Sequence, residues 1–220
     1  MTTRTRDVLW SDIETIYAAI LDHPFLTGLS DGSLPREAFG HYIVQDALYL
    51  RGYAAALAGC AARAPRPEAT VMFAEHAAGA IAAERELHES LLGELGVDPA
   101  RLGPPSPATQ AYVSYLTAIV HTGSYAEAVA TVLPCYWIYA RVGEALVAAG
   151  SPDPLYQAWI DLYAGEEFRQ IVDAVLTETD TVGATASPVE LERMRQHFTT
   201  TSRYEWMFWD GAHRQETWPV

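Results

Sequence analysis

Cysteine is scarce in this chain: Cys60 and Cys135 are the two thiols in 220 residues. That number excludes a disulfide framework, and neither cysteine has a neighbouring cysteine or histidine at zinc-ligand spacing. Positive charge is also short. Fourteen basic residues face 28 acidic ones, a formal net charge of -14, which disfavours nucleic acid and anionic membrane as partners. No uninterrupted apolar run is long enough to span a bilayer. The first residues, Met1 to Asp7, show no apolar core after their arginines and no small-residue cleavage site, so no signal peptide is expected. These absences together predict a cytoplasmic protein. There is no internal repeat, no low-complexity tract and no linker, so residues 1–220 are read as one domain.

What is present is apolar and helical. Half of the residues are hydrophobic and 11% are aromatic, enough for a sizeable core. Nothing reads as a strand. Leu9, Ile13, Ile16 and Ile20 form one stripe of a first helix over Asp7 to Leu21, ended by His23-Pro24 and followed by a turn at Asp31-Gly32-Ser33. Pro35 opens a long helix to about Arg63, and a third runs from about Glu68 to Leu95, closed by Gly96. Ser106-Pro107 starts a helix ending near His121. Ser124 and Glu127 start another, which Gly150 and Pro152 stop. A helix from Leu155 to Thr179 has a possible break at Gly165, and Ser187-Pro188 opens the last, from Val189 to Asp210. Long helices with short loops predict an all-α bundle, whose sites are built from facing helices.

Four of these helices carry polar chemistry in apolar surroundings. Pro134 lies inside its helix, where a missing N–H predicts a kink and leaves the Ala130 carbonyl without its usual donor. Cys135 follows, with Tyr139 one turn on. The helix alone leaves two readings of Cys135 open: a small buried hydrophobe, or a nucleophile facing a cavity. Asp46, Tyr49 and Tyr53 share a face of the second helix. Tyr163 precedes Gly165, while Glu166 and Glu167 read as solvated or paired charges at a helix start. Glu205 sits in the run Tyr204-Glu205-Trp206-Met207-Phe208-Trp209-Asp210, where desolvation raises a carboxyl pKa into the range useful for proton transfer. One thiol, two carboxyls and several phenols suit nucleophilic addition to a flat, protonatable heterocycle. Cys60, in an Ala-Gly-rich stretch, reads as a packing residue.

At these residues the sequence resembles the TenA family, also called thiaminase II or aminopyrimidine aminohydrolase. The resemblance begins at His23-Pro24-Phe25 and passes through Gln45-Asp46 to Tyr49-Leu50 and Leu133-Pro134-Cys135-Tyr136-Trp137-Ile138-Tyr139. It continues at Tyr163-Ala164-Gly165-Glu166-Glu167-Phe168 and closes at Tyr204 to Asp210. It implies a helical bundle of the haem-oxygenase-like type, a homotetramer and no cofactor or metal. The implied reaction is hydrolysis of 4-amino-5-aminomethyl-2-methylpyrimidine to the 5-hydroxymethyl pyrimidine and ammonia in thiamin salvage, extending to cleavage of thiamin. The same resemblance makes Cys135 the nucleophile and Glu205 the proton donor, with Tyr49 hydrogen-bonded to the thiol. Asp46 holds the amino edge, Tyr139 and Tyr163 complete binding, and Tyr112 and Phe208 line the pocket. Gly211-Ala212-His213 departs from the bulkier residue more usual after Trp-Asp, and Tyr136 is expected to point away from the Cys135 face. The tail Glu216 to Pro219 is expected to pack on the body.

Two rival readings differ in class. Glu84 and His88, with Glu75 and His76 before them, sketch half of a di-iron oxidase site, for which no second Glu/His pair is found. A non-catalytic pyrimidine-binding or regulatory protein needs Asp46 and the tyrosines but not Cys135.

Overall fold

Ser, Asp or His followed by proline opens four of the helices, and each of these side chains caps the turn it starts. The computed structural model describes residues 3–94 and 103–220, the side chains of 84–94 excepted. The elements are α1 (Thr5–Ser11), α2 (Glu14–Leu21), α3 (Pro24–Asp31), α4 (Arg36–Arg63), α5 (Pro67–Glu94), α6 (Pro107–Thr122), α7 (Tyr125–Leu146), α8 (Pro154–Ala164), α9 (Glu166–Gly183) and α10 (Pro188–His213). No strand occurs among the described residues. Ser106, Asp153 and Ser187 accept from backbone N–H groups in the first turns of α6, α8 and α10, at 3.3, 2.9 and 3.2 Å. His23 does the same for α3 through Nδ1. At α7 the Ser124–Glu127 pair forms a reciprocal capping box.

Every pair among α4, α6, α7 and α10 is in contact, so these four form the central bundle. α7 is its spine. Val129, Ala130, Val132, Leu133, Ile138 and Val142 are wholly covered, on all sides of the helix, as an all-round apolar sequence requires. The helix continues through Pro134. α5 pairs with α4, while α8 and α9 pack on α7 from outside. Gly143 lets the end of α8 approach closely: a Cβ there would meet the Tyr163 carbonyl carbon at 2.5 Å and the Ala164 nitrogen at 2.6 Å. The Gly143 position thereby sets how deep Tyr163 sits.

Two boundaries differ from expectation. The single first helix is two, broken at Asp12, whose carboxylate takes a bidentate contact from Arg195 of α10 at 2.7 and 2.8 Å. Leu9, Ile13 and Ile20 are fully buried across that break, so the apolar stripe holds although the helix does not. His23-Pro24 ends α2 but also opens α3, because a capping side chain before proline is equally a start signal. The expected break at Gly165 is present, with extended backbone between α8 and α9. Gly32, at φ 80°, closes α3 in the expected turn. The expected end of the third helix, at Leu95 and Gly96, lies outside the described residues. The tail packs as expected: Glu216 accepts from the Ala108 N–H at 2.9 Å, and Trp218 Nε1 donates to the Pro105 carbonyl at 2.8 Å. Among the described residues no helix is long and apolar enough to cross a membrane.

Overpacking at Gly143 is expected to cost about 1–3 kcal/mol for Gly143→Ala in urea unfolding. The control is Gly79→Ala on α5, where an added methyl meets nothing within 4 Å and helix propensity gives about 0.5–1 kcal/mol of stabilisation. Equal effects at the two sites would contradict the close approach.

Candidate active site

Tyr42, Asp46, Tyr49 and Tyr53 follow one another at helical spacing along the face of α4 turned to the bundle centre, and all are buried. α6 adds Tyr112, α7 adds Cys135 and Tyr139, α8 adds Tyr163 and α10 adds Glu205 and Phe208. Gly52 removes the side chain that would strike Val113 of α6, so α4 and α6 approach closely and the Tyr49 and Tyr112 rings lie 4.9 Å apart. Phe208 packs on Tyr49 at 5.6 Å and on Tyr42 at 5.7 Å. Tyr139 lies 4.8 Å from Tyr163 and 5.0 Å from Trp209.

Cys135 keeps some accessible surface although Leu133 beside it is wholly covered. The groups that act on its thiol are themselves buried: Tyr49 is 4% exposed, Asp46 6% and Glu205 2%. Burial pushes the Cys135 thiol well above its ordinary range, and the nearby Glu205 charge adds to this, while the Tyr49 hydroxyl opposes it. Tyr49 stands close to the sulfur without closing a full hydrogen bond; its Oη is buried and has no partner. An orphaned hydroxyl beside a thiol is a seat for a polar ligand atom.

The two carboxyls are the strongest electrostatic feature. Burial alone raises Asp46 to about 7. Burial raises Glu205 to about 8; Asp46 adds to that, and a 2.6 Å hydrogen bond donated by Tyr112 Oη to Glu205 Oε1 opposes it. Among the described residues no cationic side chain is a cause of either shift. Burial thus disfavours the thiolate and both carboxylates, and the two acids titrate at about 7 and about 8, across neutrality. The cluster suits a small, flat, protonatable ligand carrying positive charge.

The structure brings all eight residues singled out from the sequence as site candidates, Cys135, Glu205, Tyr49, Asp46, Tyr139, Tyr163, Tyr112 and Phe208, into one largely buried cluster. Tyr136 lies between α4 and α5: its ring is 5.7 Å from Tyr53 and its Oη is 3.1 Å from His76 Nδ1. Sequence reasoning missed the pair Tyr42 and Trp159. Trp159 Nε1 donates to Tyr42 Oη at 3.2 Å, and Tyr42 Oη lies 3.4 Å from Tyr139 Oη. The available signal was spacing: Tyr42 is four residues before Asp46, and Trp159 four before Tyr163. As expected, Cys60 is sealed in the core, with burial pushing its thiol up to about 12, and Glu166 pairs with Arg169 at 2.8 Å.

The model of the TENA/THI-4/PQQC family matches residues 10–215. The chain belongs to this family. It is 36% identical over 198 residues to an aminopyrimidine aminohydrolase of Bacillus subtilis, covering 89% of this chain and 84% of that one. A TenA homologue from P. horikoshii OT3 superposes with a TM-score of 0.88 at 29% identity, covering 96% and 99% of the two chains. A Shewanella denitrificans domain with a heme oxygenase-like fold superposes at 0.75 with 14% identity, over 96% and 92%, a likeness of fold alone. The architecture of this TenA-family chain is therefore all-α and haem-oxygenase-like. Of the di-iron sketch, Glu84 and His88 lie outside the residues whose side chains are described, Glu75 is exposed and His76 is bonded to Tyr136.

Asp46 and Glu205 hold protons in the folded chain that the unfolded chain releases above about pH 4, so folded stability falls as pH rises from there through about 8. Across that window the unfolding free energy is expected to drop more in the wild type than in Asp46→Asn/Glu205→Gln, by roughly 4–5 kcal/mol for each carboxyl removed. Parallel stability–pH curves would contradict the protonated pair.

Proposed function

We propose that the chain is an aminopyrimidine aminohydrolase of the thiaminase II class. It hydrolyses 4-amino-5-aminomethyl-2-methylpyrimidine to the 5-hydroxymethyl pyrimidine and ammonia, through a covalent adduct on Cys135. The single observation that carries this is the meeting of Cys135, Asp46 and Glu205 in one buried cluster, where burial pushes Asp46 up to about 7 and Glu205 up to about 8. Family membership and the likeness to an aminopyrimidine aminohydrolase support the same reaction, and we place it in thiamin salvage with thiamin cleavage as a second activity to be tested.

A neutral aminopyrimidine resists nucleophiles, so ring protonation and sulfur attack act together. Glu205, proton in place, donates to a ring nitrogen. The Cys135 sulfur bonds to an electrophilic ring carbon, and aromaticity is lost. The methylene C–N bond then breaks and ammonia leaves. Water adds to the exocyclic carbon, the S–C bond breaks, and the ring becomes aromatic again. Asp46 accepts from the 4-amino edge. The otherwise orphaned Tyr49 hydroxyl donates to the sulfur as negative charge builds there. Tyr139, Tyr163 and Phe208 supply the stacking walls, and Tyr112 orients Glu205. The cationic aminomethyl group stabilises the ionised forms that burial disfavours, so binding brings the site toward reaction. The same family reading carries a homotetramer acting in the cytoplasm without a cofactor; sedimentation reads the assembly.

Ammonia release from the aminomethyl pyrimidine, run beside thiamin, tests the reaction. Cys135→Ser is expected to lose about 10³-fold or more in turnover with binding retained, and Glu205→Gln about 10²–10⁴-fold. Wild-type turnover in Cys135→Ser removes the nucleophile, and tight binding with no turnover in the wild type makes this a pyrimidine-binding protein.

A further inference from the structure

The buried phenols of the cluster differ in where their protons go. Tyr112 donates to Glu205 Oε1 at 2.6 Å, and Tyr53 donates to the Val132 carbonyl at 2.9 Å. Tyr42 donates to Tyr139 Oη at 3.4 Å. The Tyr139 oxygen is therefore engaged as an acceptor, while among the described residues its own proton reaches no acceptor. Tyr139 is buried, so bulk water is not at hand to take that proton. An unspent donor inside the cluster is a contact for a ligand lone pair.

The direction of the Tyr42–Tyr139 bond is set from behind. Trp159 Nε1 donates to Tyr42 Oη at 3.2 Å, and an indole nitrogen donates but never accepts. A Tyr42 proton turned back toward Trp159 would set two hydrogens against each other, so it goes forward to Tyr139. Three helices hold this chain: Trp159 comes from α8, Tyr42 from α4 and Tyr139 from α7. Tyr42 is fully covered, with Phe25 at 5.3 Å and Phe208 at 5.7 Å, so its ring has no room to swing away. Trp159 is fixed against Tyr163 at 4.7 Å. The Tyr42–Tyr139 separation is long for two hydroxyls; a ligand that draws on the Tyr139 proton shortens it, because hydrogen bonds in series polarise one another.

We propose that Trp159 and Tyr42 are positioning residues that fix Tyr139 as a hydrogen-bond donor to the bound pyrimidine. The inference rests on the pyrimidine reading of the site given above. Tyr139 then selects a ligand that turns a lone pair toward it and disfavours one that turns an N–H. Two atoms of the proposed ligands carry such a lone pair: the ring nitrogen that Glu205 does not protonate, and the oxygen of the 5-hydroxymethyl product. Tyr42 and Trp159 act on either one through the Tyr139 hydroxyl alone.

The test is titration calorimetry on the full chain with two probes: 4-amino-5-hydroxymethyl-2-methylpyrimidine, and 4-amino-2,5-dimethylpyrimidine, which lacks the hydroxyl. Tyr42→Phe is expected to raise Kd about threefold to tenfold and Trp159→Phe about twofold to fivefold, with Tyr139→Phe losing at least as much as Tyr42→Phe. The double variant Tyr42→Phe/Tyr139→Phe is expected to bind as Tyr139→Phe does, within about twofold, because the Tyr42 hydroxyl has nothing left to act through. Losses confined to the hydroxymethyl probe put the lone pair on its oxygen; equal losses with both probes put it on the ring nitrogen; both patterns support the donor role. A wild-type Kd in Tyr42→Phe overturns the inference. So do single losses that multiply in the double variant, which mark two residues that merely shape the cluster. A wild-type chain that binds neither probe fails the functional reading itself, whereas wild-type binding with either overturning pattern leaves that reading standing and removes the inference alone.

Discussion

Burial of two carboxyl groups without a compensating cation is the constraint on which this molecule turns. Asp46 and Glu205 sit at 6% and 2% exposure, and among the described residues no arginine is a cause of either shift. Ionised, each would carry a heavy desolvation cost; neutral, each is an acid with a proton to give. The Tyr112 hydroxyl partly relieves Glu205 and leaves the proton mobile. A thiol in the same hollow is held neutral by the same burial. Chemistry that couples proton donation to sulfur attack is the natural use of such an arrangement, because neither half proceeds alone.

The bundle meets this cost through the helices that bring the groups together. α7 is covered on every side, so its position is dictated by packing rather than by its polar residues. α4 reaches α6 because Gly52 offers no side chain at the crossing, and α8 reaches α7 because Gly143 offers none. Those two approaches set the depth of Tyr49 against Tyr112 and of Tyr163 against Tyr139. The polar groups are thus placed largely by apolar contacts made elsewhere, with the Tyr112–Glu205 hydrogen bond adding to their rigidity.

Much of this was legible in the residues. Ser106-Pro107, Ser187-Pro188 and the Ser124–Glu127 box mark helix starts because cap chemistry is local. The stripe Asp46, Tyr49, Tyr53 was visible because helical spacing alone aligns it. Less visible were features decided by tertiary contact. The break at Asp12 coincides with its pairing to Arg195, 183 residues away. α3 hid behind His23-Pro24, a signal that both stops and starts. The Tyr42–Trp159 bond joins residues 117 apart in sequence. Local rules carried the helices and their chemistry; distant pairs decided the details.

The central claim is that Glu205 holds its proton near neutrality. Infrared difference spectroscopy of the carboxyl C=O stretch, scanned across pH on the wild type and on Glu205→Gln, reads it directly. The expected result is a protonated carboxyl band that persists at about pH 6, bleaches near pH 8 and is missing from the variant. A Glu205 carboxyl fully ionised at about pH 6 would contradict the account.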